Sequence, residues 1–217
     1  MLSVQGERRS DRATVVVVHG LWMTGAVFTL QRVWLARHGY RVATFSYPSI
    51  RLGLDEIASR LARFVAKLNV PRPHFVGHSL GGLVVLNMLA LDAQALAGRI
   101  VLLGSPVAGS RAAEQIAQSS AGRVLVGRAL LDWRAERGAA VAARFEVGMV
   151  AGTVRLGMGR FLAKLPLPND GVVCLDETRM PGLRGHLTMP VSHSGMIVSS
   201  RVTRQICNFL ELGYFAR

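Results

Sequence analysis

The chain has 217 residues, half of them hydrophobic and 18% charged. This length fits one folding unit, and so much apolar material can bury a sizeable core, which excludes a disordered chain. The net charge of +13 comes almost wholly from arginine, since only Lys67 and Lys164 are lysines among 26 basic residues. The arginines are scattered, few aromatics lie between them and no recognition motif is present, so nucleic-acid binding is excluded, while contact with an anionic membrane or lipid surface stays open.

In chain order, residues 1–12 are polar and lack the apolar stretch of a secretory leader, and the run 15–18 is far too short to span a bilayer. The expectation is a cytoplasmic protein. Thr14–Val18 is continuous and apolar, as a buried parallel strand should be. Residues 25–37 predict a helix with Val27, Leu30, Val33 and Trp34 on one face, and 41–46 a second strand. Residues 55–68 predict an amphipathic helix, because Ile57, Leu61, Phe64, Val65 and Leu68 recur at helical spacing. A short strand over 74–77 runs into a helix over Leu80–Leu91, and 99–103 is the next strand. The stretch 110–144 is rich in Ala and Arg. It predicts two or three helices broken near Gly122 and Gly138, an insertion between strands that could serve as a lid. A strand over 145–151, a loop or short helix over 154–168, a strand over 184–189 and a helix over 201–212 complete the chain. This alternation predicts one α/β domain, a mostly parallel central sheet with helices on both faces. Cys174 and Cys207 fit no metal or redox spacing and are expected to be buried free thiols.

Chemistry concentrates in a few places. Gly77-His78-Ser79-Leu80-Gly81 fits G-x-S-x-G, and it stands directly after a strand and before a helix. That context places a serine hydroxyl on a sharp turn at the carboxyl end of the sheet, where residues lacking a Cβ are needed for close approach. A tetrahedral acyl intermediate needs two amide donors for its oxyanion. Leu80 supplies one, and the loop His19-Gly20-Leu21 the other, through Leu21 or alternatively Trp22. His19 and His78 are read as structural, His38 and His74 as surface or turn residues. His193, just beyond the last strand in Val191-Ser192-His193-Ser194-Gly195, is the general base. Asp170, in Asn169-Asp170-Gly171, is the acid that orients it, with Asp176, Glu177 and Asp132 as competitors. Leu21, Trp22, Met23, Leu80, Met196 and Ile197 are candidates for an apolar acyl pocket.

On these motifs the sequence resembles the α/β-hydrolase lipases and esterases, the compact bacterial ones above all, from about residue 14 to the end. Gly104-Ser105-Pro106 resembles a family loop that often carries a histidine, here replaced by Val107. The resemblance implies hydrolysis of a small-molecule ester or lipid through an acyl-enzyme on Ser79, with neither cofactor nor metal. Thioester hydrolysis or acyl transfer would use the same residues, and a silent binding module would keep the fold without the reaction.

Overall fold

The computed structural model describes residues 12–156 and 164–216. Six strands form one parallel sheet: β1 (Thr14–Val18), β2 (Arg41–Phe45), β3 (His74–His78), β4 (Ile100–Leu103), β5 (Val147–Gly152) and β6 (Gly185–Met189), in the order β2-β1-β3-β4-β5-β6. The chain leaves β1 for one edge and returns through β3 to the other. The carboxyl ends of β1 and β3 therefore flank the point where the strand order reverses, and this is where open parallel sheets build their sites.

The strand pleat sorts side chains onto two faces. Val16 and Val18 join Phe75 and Leu102 beneath α2 (Leu54–Leu68), α3 (Leu80–Leu91) and α7 (Ala135–Ala142). Val15 and Val17 join Val76 and Val101 beneath α1 (Thr29–Arg37) and α8 (Ser200–Leu212), through Phe28, Leu35, Ile206 and Phe209. α3 is apolar all round, and every residue from Leu80 to Leu89 is buried. It is therefore a central helix rather than an amphipathic one. α2 has the opposite design: Leu54, Ile57, Ala58 and Leu61 face the core, and Asp55 and Glu56 sit in the first turn, where the helix dipole favours negative charge.

Several boundaries differ from the sequence expectation. The predicted helix over 25–37 is a 3-10 turn at Gly25–Phe28 followed by α1. Between β4 and β5 lie four helices: α4 (Arg111–Ile116), α5 (Ser120–Val126), α6 (Arg128–Leu131) and α7. Gly122 and Gly138 fall inside helices rather than at breaks. Each is there for close packing, since a Cβ on Gly122 would stand 1.7 Å from the Ile116 carbonyl oxygen and one on Gly138 2.9 Å from Met180 Sδ. The breaks come at Ser119, whose hydroxyl caps α5 by accepting the Gly122 amide, and at Gly127, with φ +71°. α4 and α5 are anchored by small or few residues: Ala112, Ala113, Gly122 and Val126. Residues 157–163 of the expected loop or short helix over 154–168 lie outside the described residues. Both cysteines are buried free thiols. Among the described residues no helix is long and apolar enough to cross a membrane.

Candidate active site

Ser79 ends β3 and opens α3 with φ 55° and ψ −124°, a conformation that L-residues rarely adopt. The turn survives because its neighbours leave room for it. A Cβ on Gly81 would stand 2.1 Å from the Val18 carbonyl oxygen, and one on Gly77 would stand 2.5 Å from Gly82 Cα. Ser79 is half-buried. Its amide donates to the Leu103 carbonyl at 2.9 Å, which ties the elbow to the end of β4.

The loop after β1 lies against this serine. A Cβ on Gly20 would come within 3.0 Å of Ser79 Cβ. His19 holds the loop from behind, as its sequence position suggested. Its Nδ1 lies 2.8 Å from the Gly20 carbonyl, its Nε2 accepts the Tyr47 amide, and its ring stacks on Tyr47 at 4.4 Å. The Tyr47 hydroxyl donates back to the His19 carbonyl. Burial holds the pKa of His19 down, so this histidine acts as a neutral brace. Trp22 also has positive φ, 57°, and its amide donates to Ser49 Oγ at 3.0 Å. Of the two loop amides considered for the oxyanion, Trp22's is thus engaged, and among the described residues no acceptor takes Leu21's. Leu80, in the first turn of α3, has an amide with no acceptor within its own helix. The Trp22 indole reaches outward and donates to the Leu125 carbonyl of α5 at 3.0 Å.

On the far side, the loops following β5 and β6 bring Asp170 and His193 together. His193 Nδ1 lies 2.7 Å from Asp170 Oδ2. The other carboxylate oxygen accepts the Val172 and Val173 amides at 2.9 and 2.7 Å, and the His193 amide donates to the Asp170 carbonyl at 2.9 Å. Asp170 is 1% exposed and His193 5%. Burial pushes the Asp170 pKa up, but His193 and the two amides outweigh it and hold the carboxyl below its ordinary value. Gly104, at the end of β4, separates the pair from the elbow: a Cβ there would stand 2.9 Å from Asp170 Oδ2 and 3.1 Å from His193 Nδ1. Gly104 directly follows Leu103, the residue that accepts the Ser79 amide, so the elbow and the Asp170–His193 pair meet at one corner of the sheet. A hydrogen bond from the Ser79 hydroxyl to His193 is not among those of the described residues. Such contacts are often long before substrate binds.

The competitors for the acid role have other work. Asp132 accepts the Leu54 amide at the start of α2. Asp176 forms a two-pronged ion pair with Arg111, and Glu177 accepts the main-chain amides of Arg111 and Cys174 at 2.6 Å each. Glu177 thereby fastens the Asp170 loop to the start of α4, a role that sequence reading missed because both its partners are main-chain amides and one of them, Arg111, lies 66 residues away. Met196, expected in the acyl pocket, is fully buried and packs with α8 side chains, its Sδ-methyl lying under Gly104 and Gly152. It is a support rather than a lining residue, and Ile197, 3% exposed, packs in the same cluster. Trp22 is 44% exposed and Met23 partly so, on the loop after β1. Among the described residues no cluster of His, Cys, Asp or Glu could hold a metal ion.

Comparison with known proteins agrees with this architecture. The chain matches 109 residues of "Putative carbamate hydrolase RutD" from Pantoea ananatis at 34% identity, over 46% of this chain and 39% of that protein. The chain thus matches well under half the length of this curated relative. The mature lipase BlEst2 from Bacillus licheniformis superposes with a TM-score of 0.72 at 20% identity, covering 93% of this chain and 91% of that one. The esterase EaEST from Exiguobacterium antarcticum does so with 0.65 at 16% identity, covering 92% of each chain. At these identities the likeness is one of fold. The profile described as "Alpha/beta hydrolase family" matches residues 15–196, most of the chain, and with it all six strands of the sheet, β1 from Val15, and the elbow; the chain belongs to the alpha/beta hydrolase family.

Proposed function

We propose that this chain is a serine hydrolase that cleaves carboxylic esters, with Ser79 as nucleophile, His193 as general base and Asp170 as the acid that orients it. The observation that carries the reading is the buried 2.7 Å Asp170–His193 pair held beside the serine elbow. Asp170 fixes a proton on Nδ1, which leaves Nε2 as the basic nitrogen. Ser79 Oγ attacks the ester carbonyl carbon while Nε2 takes its proton. The oxyanion is received by the amides of Leu21 and Leu80. The tetrahedral species collapses, the alcohol leaves with the proton from Nε2, and an acyl-enzyme remains. Water repeats the cycle, giving its proton to Nε2, and the acid departs as Ser79 regains a proton.

Trp22 and Met23 would line the acyl side of the mouth. Exposed Trp22, Val124 and Leu125 lie together there, joined by the Trp22–Leu125 bond. This supports an apolar, lipid-like ester, delivered from an anionic surface to a strongly basic protein, with α4–α6 as a lid.

The test is labelling by a fluorophosphonate, followed by p-nitrophenyl esters of increasing chain length, with thioesters and carbamates beside them. Labelling lost in Ser79→Ala, and turnover of esters above the other two classes, are expected. A folded protein that resists the probe would be a binding module. Preference for thioesters or carbamates would keep the nucleophile and reject the ester assignment.

A further inference from the structure

His78 precedes the nucleophile and is fully buried, yet it is more than a packing residue. Its Nε2 lies 3.0 Å from the His193 carbonyl oxygen, and the two rings lie 4.6 Å apart. A carbonyl only accepts, so Nε2 carries the proton and donates it. Nδ1 is then bare. It has no partner among the described residues, and it faces the loop after β1, where a Cβ on Gly20 would stand 3.2 Å away. One ring thus touches the base and the oxyanion loop, and its residue is bonded directly to the nucleophile.

We infer that His78 is a positioning residue, whose Nε2–H grips the His193 carbonyl and so sets the height of the base over Ser79. Both main-chain polar groups of His193 are then accounted for: its amide is held by Asp170 and its carbonyl by His78. With the side-chain bond to Asp170, His193 is fixed at three points, two on its main chain and one on its ring. Because residues 78 and 79 are consecutive, this bond spans the gap between base and nucleophile without passing through any mobile element. Burial, and secondly the neighbouring His193, push the pKa of His78 down to about 3. The ring therefore stays neutral and keeps the same donor throughout the working pH range.

The inference rests on the proposed hydrolase reading, and the experiment separates the two. His78→Phe keeps an aromatic of similar size without the donor, and His78→Asn and His78→Gln return an N–H. Loss of alignment by a fraction of an ångström to 1 Å costs up to about 100-fold in rate. His78→Phe is expected to lower kcat on a soluble p-nitrophenyl ester roughly 10- to 100-fold with KM nearly unchanged, and at least one amide variant to recover most of it. The NMR resonance of the His193 Nδ1–H, shared with Asp170, should broaden in His78→Phe and sharpen again on rescue. Equal kcat in His78→Phe, or an unchanged resonance, overturns the inference while leaving the hydrolase reading in place. If Ser79→Ala keeps full activity, the hydrolase reading falls, and the resonance alone still judges His78. If His78→Phe fails to fold, the amide variants are compared with His78→Met: rescue by an amide but not by methionine supports the inference, and equal loss in all three overturns it.

Discussion

Replacing Asp170 by asparagine separates orientation from architecture. Oδ1 of an asparagine can keep both amide bonds, from Val172 and Val173, that Asp170 now accepts. The amide nitrogen then stands where Oδ2 stood, 2.7 Å from His193 Nδ1, and donates to it. His193 must move its proton to Nε2, the nitrogen that has to accept from Ser79. Exchanging a charge-assisted bond for a neutral one costs about 1–3 kcal/mol of stability. The wrong tautomer costs far more in rate: a loss of about 10⁴ in kcat, or about 5 kcal/mol of activation free energy. Steady-state hydrolysis of a p-nitrophenyl ester, beside a thermal melt, reads both numbers. The reasoning is refuted if folded Asp170→Asn keeps kcat within ten-fold of the parent.

The same carboxyl predicts a pH effect. Its folded pKa lies below its unfolded one, so its contribution to stability is complete at neutral pH and is lost as acidification passes through the folded value. Urea melts between pH 7 and pH 3 should show the gap between parent and Asp170→Asn closing as pH falls; a constant gap would contradict this. Glu177→Gln leaves an NH₂ group facing one of two main-chain amides now accepted at 2.6 Å, and thermal melts should show a loss of about 1–3 kcal/mol. Gly81→Ala drives a Cβ to 2.1 Å from the Val18 carbonyl oxygen. Overpacking of that kind costs about 3 kcal/mol or more, so an unchanged Tm would show that the elbow has slack.

Elements whose residues answer to local physics were legible in the sequence. Val15 to Val18 announce a buried parallel strand because both faces of the sheet are covered. The elbow was readable because its glycines stand at fixed offsets from the serine. α3 has no apolar stripe, and only its place after the elbow marked it as a helix. What could not be read depends on distant partners. Gly122 and Gly138 look like helix breakers until Ile116, Met180 and Trp133 are seen pressed against them. Met196 looks like a pocket residue until the loop turns it beneath Gly104. Asp132, Asp176 and Glu177 meet their partners Leu54 and Arg111 across 78, 65 and 66 residues of chain, and Asp170 meets His193 across 23. No local pattern encodes such distances.

Ser79 rides on the most deeply embedded helix of the molecule, whereas α4 and α5 are seated on alanine, glycine and a single valine. Opening α3 exposes a row of leucines, but opening α4 and α5 exposes little apolar surface. Local unfolding therefore reaches α4 and α5 long before it reaches Ser79. On the proposed hydrolase reading, substitutions in α4 and α5 would retune which acyl groups enter at small cost to the fold, and selectivity would drift across descendants of this chain while Ser79 and its supports stay as they are.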